Sequence, residues 1–456
     1  MNRWAASALF VVGFVVSGCG QTPPDTGPNG SGGSAGQGAA PWRSSLYPQD
    51  WTPGFVDGEG RGLQDFSYAG FRYGEAPAPD VTTVIEVVGA DPLGTIDSTA
   101  AIQAAIDTAA MQGGAIVHIP AGLYRIDGLL LVSASHVILR GDGPGQTRLY
   151  FTKSTNMTGQ AHLSFSAPVM VDTESPLVMD AEVGATSIAV KDVSGYSPGD
   201  DVTIGFVITP EFIAEHNMTG TWMAFNDSWQ TFFRRTIVSI DKSASPPKIE
   251  LDIALRYPIK LRDQGSVRRE KGALTGVGVE SLGLANAVAW DDAWTVDRAH
   301  VLAFTHVMDA FVRDVQSFES PNAPTSGAGA GAHLLSGGIL IAESKRVTVE
   351  HTEMALAQNR GGGGNGYLFE ILQSNEVLIA DSKGTAGRHN FIQNWGFGTT
   401  GCVWLRVESR EGRAFVSKDS SLATTGHSEL HHSLATANLI DTSLFDDGFS
   451  TINRQG

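Results

Sequence analysis

Two late segments concentrate the groups that bind anions and move protons: Gly387-Arg388-His389-Asn390, and Gly426-His427-Ser428-Glu429-Leu430-His431-His432, with Asp446-Asp447 following. An arginine beside imidazoles suits one kind of reaction. The guanidinium neutralises a carboxylate and so acidifies the proton on the adjacent carbon, which a neutral imidazole then removes. On this reading Arg388 serves the carboxylate and His389, His431 or His432 the proton, with His427 in the same catalytic cluster. Hydrolysis of a glycosidic bond would instead need two carboxylates, for which Glu370, Glu429, Asp446 and Asp447 are available. His427 and His431 stand four apart but would share a face only on a helix; the region reads as strand and loop, so no metal site is predicted there. Asp291-Asp292, between Trp290 and Trp294, form a second, acidic candidate for holding a substrate, and Arg406 and the aromatic face of Trp395 are further substrate-binding candidates. The run Gly361 to Gly364 lacks the Lys-Ser or Lys-Thr of a phosphate loop and reads as a loop bordering the site.

Something must bring these segments together, and from Gly276 onward the chain repeats. GVGVESLGLAN, DAFVRDVQSFES, RVTVEHTEMAL, EVLIADSKGTA, CVWLRVESREG and ANLIDTSLFDD each combine an alternating strand with a polar corner. Aligning Val279, Val312, Val349, Ile379, Leu405 and Ile440 gives steps of 33, 37, 30, 26 and 35 residues, the spacing of solenoid coils with loops of varying length. In such a stack, residues one coil apart lie at strand spacing, so the two polar segments become neighbours.

Before the repeats, GTIDSTAAIQAAIDTAAMQGGAIVHIPAGLYRIDGLLLVSASHVILRGDGPG reads as one amphipathic helix, a Gly-Gly stop and then strand after strand. Ile102, Ala105, Ile106 and Ala109 fall on one face, and Asp97 or Ser98 supplies the cap. This wording closely resembles the N-terminal segment of the pectate-lyase superfamily, with Asp97-Ser98-Thr99 in place of the usual Asp-Asp-Thr. The resemblance implies an all-β chain, a right-handed parallel β-helix with an N-terminal cap helix, acting on polysaccharides. DFSYAGFRYGE and the GRHNFIQNWG…HSELHHSLATANLID pairing are similar to a subgroup of bacterial β-helix proteins. There a Gly-Pro pair usually stands where this chain has Glu429-Leu430. Residues 166–262 break the rhythm with hairpin-like strands and read as an inserted β module, in which Trp222 and Trp229 are expected to be core.

The expected organisation is a leader over 1–18, a Gly/Pro/Ser tether over 19–45, cover, cap helix and first coils over 46–165, the insert, and coils over 263–456. The chain ends without an amphipathic cap, as a fragment of a longer protein would. Val16-Ser17-Gly18-Cys19 matches the bacterial lipobox pattern, which implies lipidation at Cys19, a membrane anchor and display on the cell envelope. With 48 acidic against 31 basic residues, nucleic acid is a poor partner and a polyanion would need a local basic cleft. Nothing points to a protein partner. The resemblance leads us to expect a polysaccharide lyase on an acidic glycan, with a glycoside hydrolase or a non-catalytic glycan-binding solenoid as alternatives. The sequence assigns no cofactor; a divalent cation such as calcium is the alternative to arginine as the carboxylate's counter-charge.

Overall fold

The computed structural model describes residues 43–52, 54–431 and 434–452. The leader, Cys19, the tether up to residue 42 and His432 lie outside them. The helix Thr99–Met111 buries Ile102, Ala105, Ile106 and Ala109, the face that the periodicity picks out. Asp97, not Ser98, receives the Thr99 N–H at 2.9 Å, while the Ser98 hydroxyl accepts the Asp91 N–H. Gly113 and Gly114 end the helix at positive φ, where a side chain would be strained.

Behind this cap, three parallel ladders run the length of the molecule. The first passes from Val84 through Ile116, Ile138, Gly278, Phe311, Thr348, Leu378 and Val403 to Leu439. The second runs from Leu93 through Leu123, Arg148, Gly283, Gln316, Glu353, Lys383 and Glu408 to Leu444. The third passes from Leu130 through Leu163, Leu302 and Ile339 to Phe369 and Phe391. It continues with Glu429 beside Ile392 and Ser450 beside Glu429. The chain is therefore a parallel β-helix, and one continuous apolar core fills the space between its three sheets. Phe369 and Phe391 stack inside it at 4.7 Å.

One register differs from the sequence alignment. Ile379 pairs with Trp404, not Leu405, and Trp404 with Ile440. In CVWLRV both parities are apolar, so alternation does not decide; the larger indole takes the core position and is fully buried.

Between the third-ladder strand Ala161–Phe165 and the next coil, Met170–Lys271 forms a separate six-stranded antiparallel sheet with its own core. Trp222 is buried in that core. Trp229 is half-buried, its ring under the Arg268 guanidinium at 3.7 Å. The module packs against the coil through Phe397. A buried ion pair adds to this contact: Arg256 holds both oxygens of Glu376 at 3.0 and 2.9 Å and also donates to the Asp65 carbonyl. The covering segment before the cap helix lies over the first sheet, with Phe71 packed on Phe311.

Candidate active site

Alternation along the third sheet sends Phe369, Phe391 and Ile371 inward and leaves Glu370 and Asn394 on the outer face. Over that face lies a cleft of about 420 Å³, lined by Arg298, Gly363, Gly364, Tyr367, Arg388, Asn394, Trp395 and His431. Tyr367 and His389 begin successive strands and are register partners, their rings 5.2 Å apart. Arg388 precedes His389 at the corner, where its Nη1 donates to the Gly361 carbonyl at 3.0 Å. That bond ties down the glycine loop and fixes the guanidinium over the cleft.

Glu370 is the buried anchor beneath Arg298. Its Oε1 accepts from Arg298 and Asn394, each at 2.8 Å, and its Oε2 lies 2.9 Å from His300 Nε2. Burial pushes this carboxyl up, but the His300 hydrogen bond with the His300 and Arg298 charges more than offsets it and holds the group ionised below its usual range. Both oxygens are thus committed to holding neighbours. Glu370 positions Arg298; it does not face the cleft as an acid.

One coil on, a second buried carboxylate is ringed by imidazoles. Glu429 Oε2 lies 2.7 Å from His431 Nδ1 and 3.6 Å from both His389 Nε2 and His427 Nε2. His389 Nδ1 is 2.5 Å from the His427 carbonyl, which can only accept, so this nitrogen carries the ring's hydrogen. Burial and the Arg388 charge push His389 down to about 3, so the ring is neutral. It is shut away from the cleft, contrary to its expected role as a proton acceptor. Burial also pushes Tyr367 up to about 12, so its hydroxyl keeps its proton.

Of the groups expected from sequence, Arg388, His431 and Trp395 line the cleft, and His389, His427 and Glu429 sit together beside it. Others do not join them. Asp446 is exposed and paired with Arg410 at 3.0 Å. Arg406 sits at the corner between the first and second sheets, held by Asp381 at 2.6 Å. Asp291 pairs with Lys418, and Asp292 accepts from Ser154 at 2.6 Å. Asp447 is buried, accepting from Ser409 and Asn390 at 2.7 and 2.8 Å, a structural corner. Arg298, Tyr367 and Asn394 escaped the sequence reading; the signal available was register, since Tyr367 stands one coil before His389. Calcium takes six to eight oxygen ligands. Among the described residues the one cluster of three side-chain ligands is His389, His427 and Glu429, whose nitrogens do not fit that ion.

Residues 83–196 match the family described as "Rhamnogalacturonase A/epimerase, pectate lyase-like". The chain is 36% identical over 118 residues to the mannuronan C5-epimerases AlgE3 and AlgE5 of Azotobacter vinelandii. The match covers 24% of this chain but spans only 6% and 12% of those relatives. Among solved structures, the tailspike protein gp49 of Pseudomonas phage LKA1 is 12% identical, covering 78% of this chain and 58% of that one, with a TM-score of 0.42. The cleft residues, from Arg298 to His431, all lie outside the matched family segment. By its three ladders the chain is a parallel β-helix protein, and over residues 83–196 it is similar to the pectate-lyase-like family.

Proposed function

We propose that the protein is a carbohydrate-active enzyme that cleaves a uronate-containing polysaccharide by β-elimination in the cleft beside Arg298 and Arg388. The observation that carries this reading is local charge reversal. The chain has a net charge of −17, yet this cleft has two guanidinium groups and, among the residues lining it, no carboxylate. A polyanion is attracted here and repelled elsewhere. The same lining disfavours hydrolysis, which needs two carboxylates facing the glycosidic oxygen.

In the proposed reaction the guanidinium of Arg388, with Arg298 beside it, holds the uronate carboxylate in a bidentate fashion and stabilises the negative charge that develops on it. His431 accepts the C5 proton. The electron pair of that C–H bond becomes the C4=C5 double bond as the C4–O bond breaks, and the leaving oxygen takes a proton from the Tyr367 hydroxyl. Trp395, exposed and braced 5.8 Å from Phe225 of the inserted module, offers a flat face to a sugar ring.

A panel of acidic polysaccharides tests this by the ultraviolet absorbance of the new double bond. Reducing ends without that absorbance would mean hydrolysis. Inverted C5 stereochemistry without chain cleavage would mean epimerisation, the reaction named for the two relatives, which shares the proton removal. Binding without any product would mean a glycan-binding solenoid. Display on the cell envelope through a lipid on Cys19 belongs to the same proposal, and mass spectrometry of the mature N-terminus tests it.

A further inference from the structure

The geometry points to a metal site beside the cleft: we propose that His389, His427 and Glu429 bind one divalent transition-metal ion of the zinc class. Their donor atoms lie within 4.8 Å of one another. His389 is almost fully buried, yet its Nε2 has no hydrogen-bond partner among the described residues, and neither has the buried Nε2 of His427. With the hydrogen of His389 fixed on Nδ1 by the His427 carbonyl at 2.5 Å, its Nε2 presents a lone pair toward Glu429 Oε2, 3.6 Å away. An imidazole lone pair aimed toward a carboxylate oxygen is how two ligands of one cation are arranged. His427 Nε2 stands at the same 3.6 Å from the same oxygen.

Two of the three donor separations, each 3.6 Å, are close to what such an ion needs. Metal–nitrogen and metal–oxygen bonds of about 2.0–2.1 Å in tetrahedral geometry place neighbouring donors roughly 3.3 Å apart. The surroundings agree as well. A ligating imidazole commonly donates its other N–H to a backbone carbonyl, as His389 does, and a ligating carboxylate is itself held from outside, as His431 Nδ1 at 2.7 Å can hold Glu429. Two imidazoles and one carboxylate select zinc, cobalt or nickel over calcium or magnesium, which prefer oxygen. Three protein donors leave a fourth position for water or a substrate oxygen. His431, which touches both Glu429 and the cleft, puts that position next to the sugar site.

The test uses the full chain stripped with a chelator and then titrated with zinc, cobalt or calcium, so it needs no glycan and is independent of the lyase reading. We expect one equivalent of zinc per chain by elemental analysis, a rise in melting temperature with zinc, and visible d–d bands with cobalt. Calcium at the same concentration should give none of these. Glu429→Gln and His427→Ala should each weaken zinc binding by more than the about 10–100-fold that loss of an outer partner causes. His427 is a third exposed, so its variant should fold; its melting temperature without metal checks that. Equal zinc uptake by wild type and a folded His427→Ala, failure of the wild type to take up zinc or cobalt, or a calcium response lost in the variants would each overturn the proposal.

Discussion

Arg298 Nη2 reaches Oε1 of Glu370 at 2.8 Å across the strand Gly337–Ala342, which lies between their two coils. The pair joins coils that are not neighbours, and it is this reach that aims a guanidinium into the cleft. Glu370→Ala leaves His300 buried without its carboxylate and Arg298 without an anchor. We expect a loss of about 3–5 kcal/mol of stability, the range for breaking a buried pair from one side. Denaturant unfolding measures it, and Glu370→Gln, which keeps the shape and one acceptor, should lose less.

His300 crosses the same strand over Gly337, where a Cβ would fall 2.8 Å from its Nε2. Gly337→Ala should therefore displace the imidazole and destabilise the fold by about 1–3 kcal/mol, the usual range for overpacking. In a His300→Ala background the same substitution should do much less. A double-mutant cycle reads the difference as a coupling energy, and additivity would show that the ring and the glycine do not interact.

Arg388→Ala should lower turnover on an active uronan by about 10²–10³, the size of effect seen when one oriented charge stabiliser is removed. Arg388→Lys should recover part of it, because charge survives while the two-pronged geometry does not. Trp395→Ala should act mainly on KM, since its platform contacts sugar before and during reaction alike. Steady-state kinetics on one substrate separates the two patterns.

Burial pushes Asp309 up, but the two-pronged bond from Arg346, at 2.8 and 2.9 Å, outweighs it and depresses the group below its ordinary 3.8. A depressed carboxylate contributes stability that is complete above the unfolded value and disappears as pH falls through the folded one. Asp309→Asn should lower stability by about 1–3 kcal/mol at neutral pH. That gap should close on acidification below about pH 4. Melting curves against pH for both proteins check the sign.

How much of this was legible depended on what the code is written in. The cap helix was readable because a 3.6-residue period places Ile102, Ala105, Ile106 and Ala109 together whatever they pack on. The proximity of His389 to His427 and Glu429 followed from coil stacking alone. Arg298 and Tyr367 were not readable, because loops of different lengths hide which residue starts each strand. Asp446 and Arg406 show the converse limit: residue type announces charge, but only the turn geometry says whether a nearby Arg410 or Asp381 claims it first. At Trp404 an apolar residue on both parities left the register open, and side-chain volume decided it.

The pairing of Met170 with Lys271 closes the inserted module at its neck, and Ile138 and Gly278, on either side of it in sequence, are neighbours in one ladder. For an unstructured chain of that length, bringing the ends together would cost about 4 kcal/mol in conformational entropy. A module that folds first presents its two ends already side by side, so the next coil can dock as if joined by a short turn. A native insert thereby lowers the entropic cost of stacking the coils that carry the cleft on those beneath the cap.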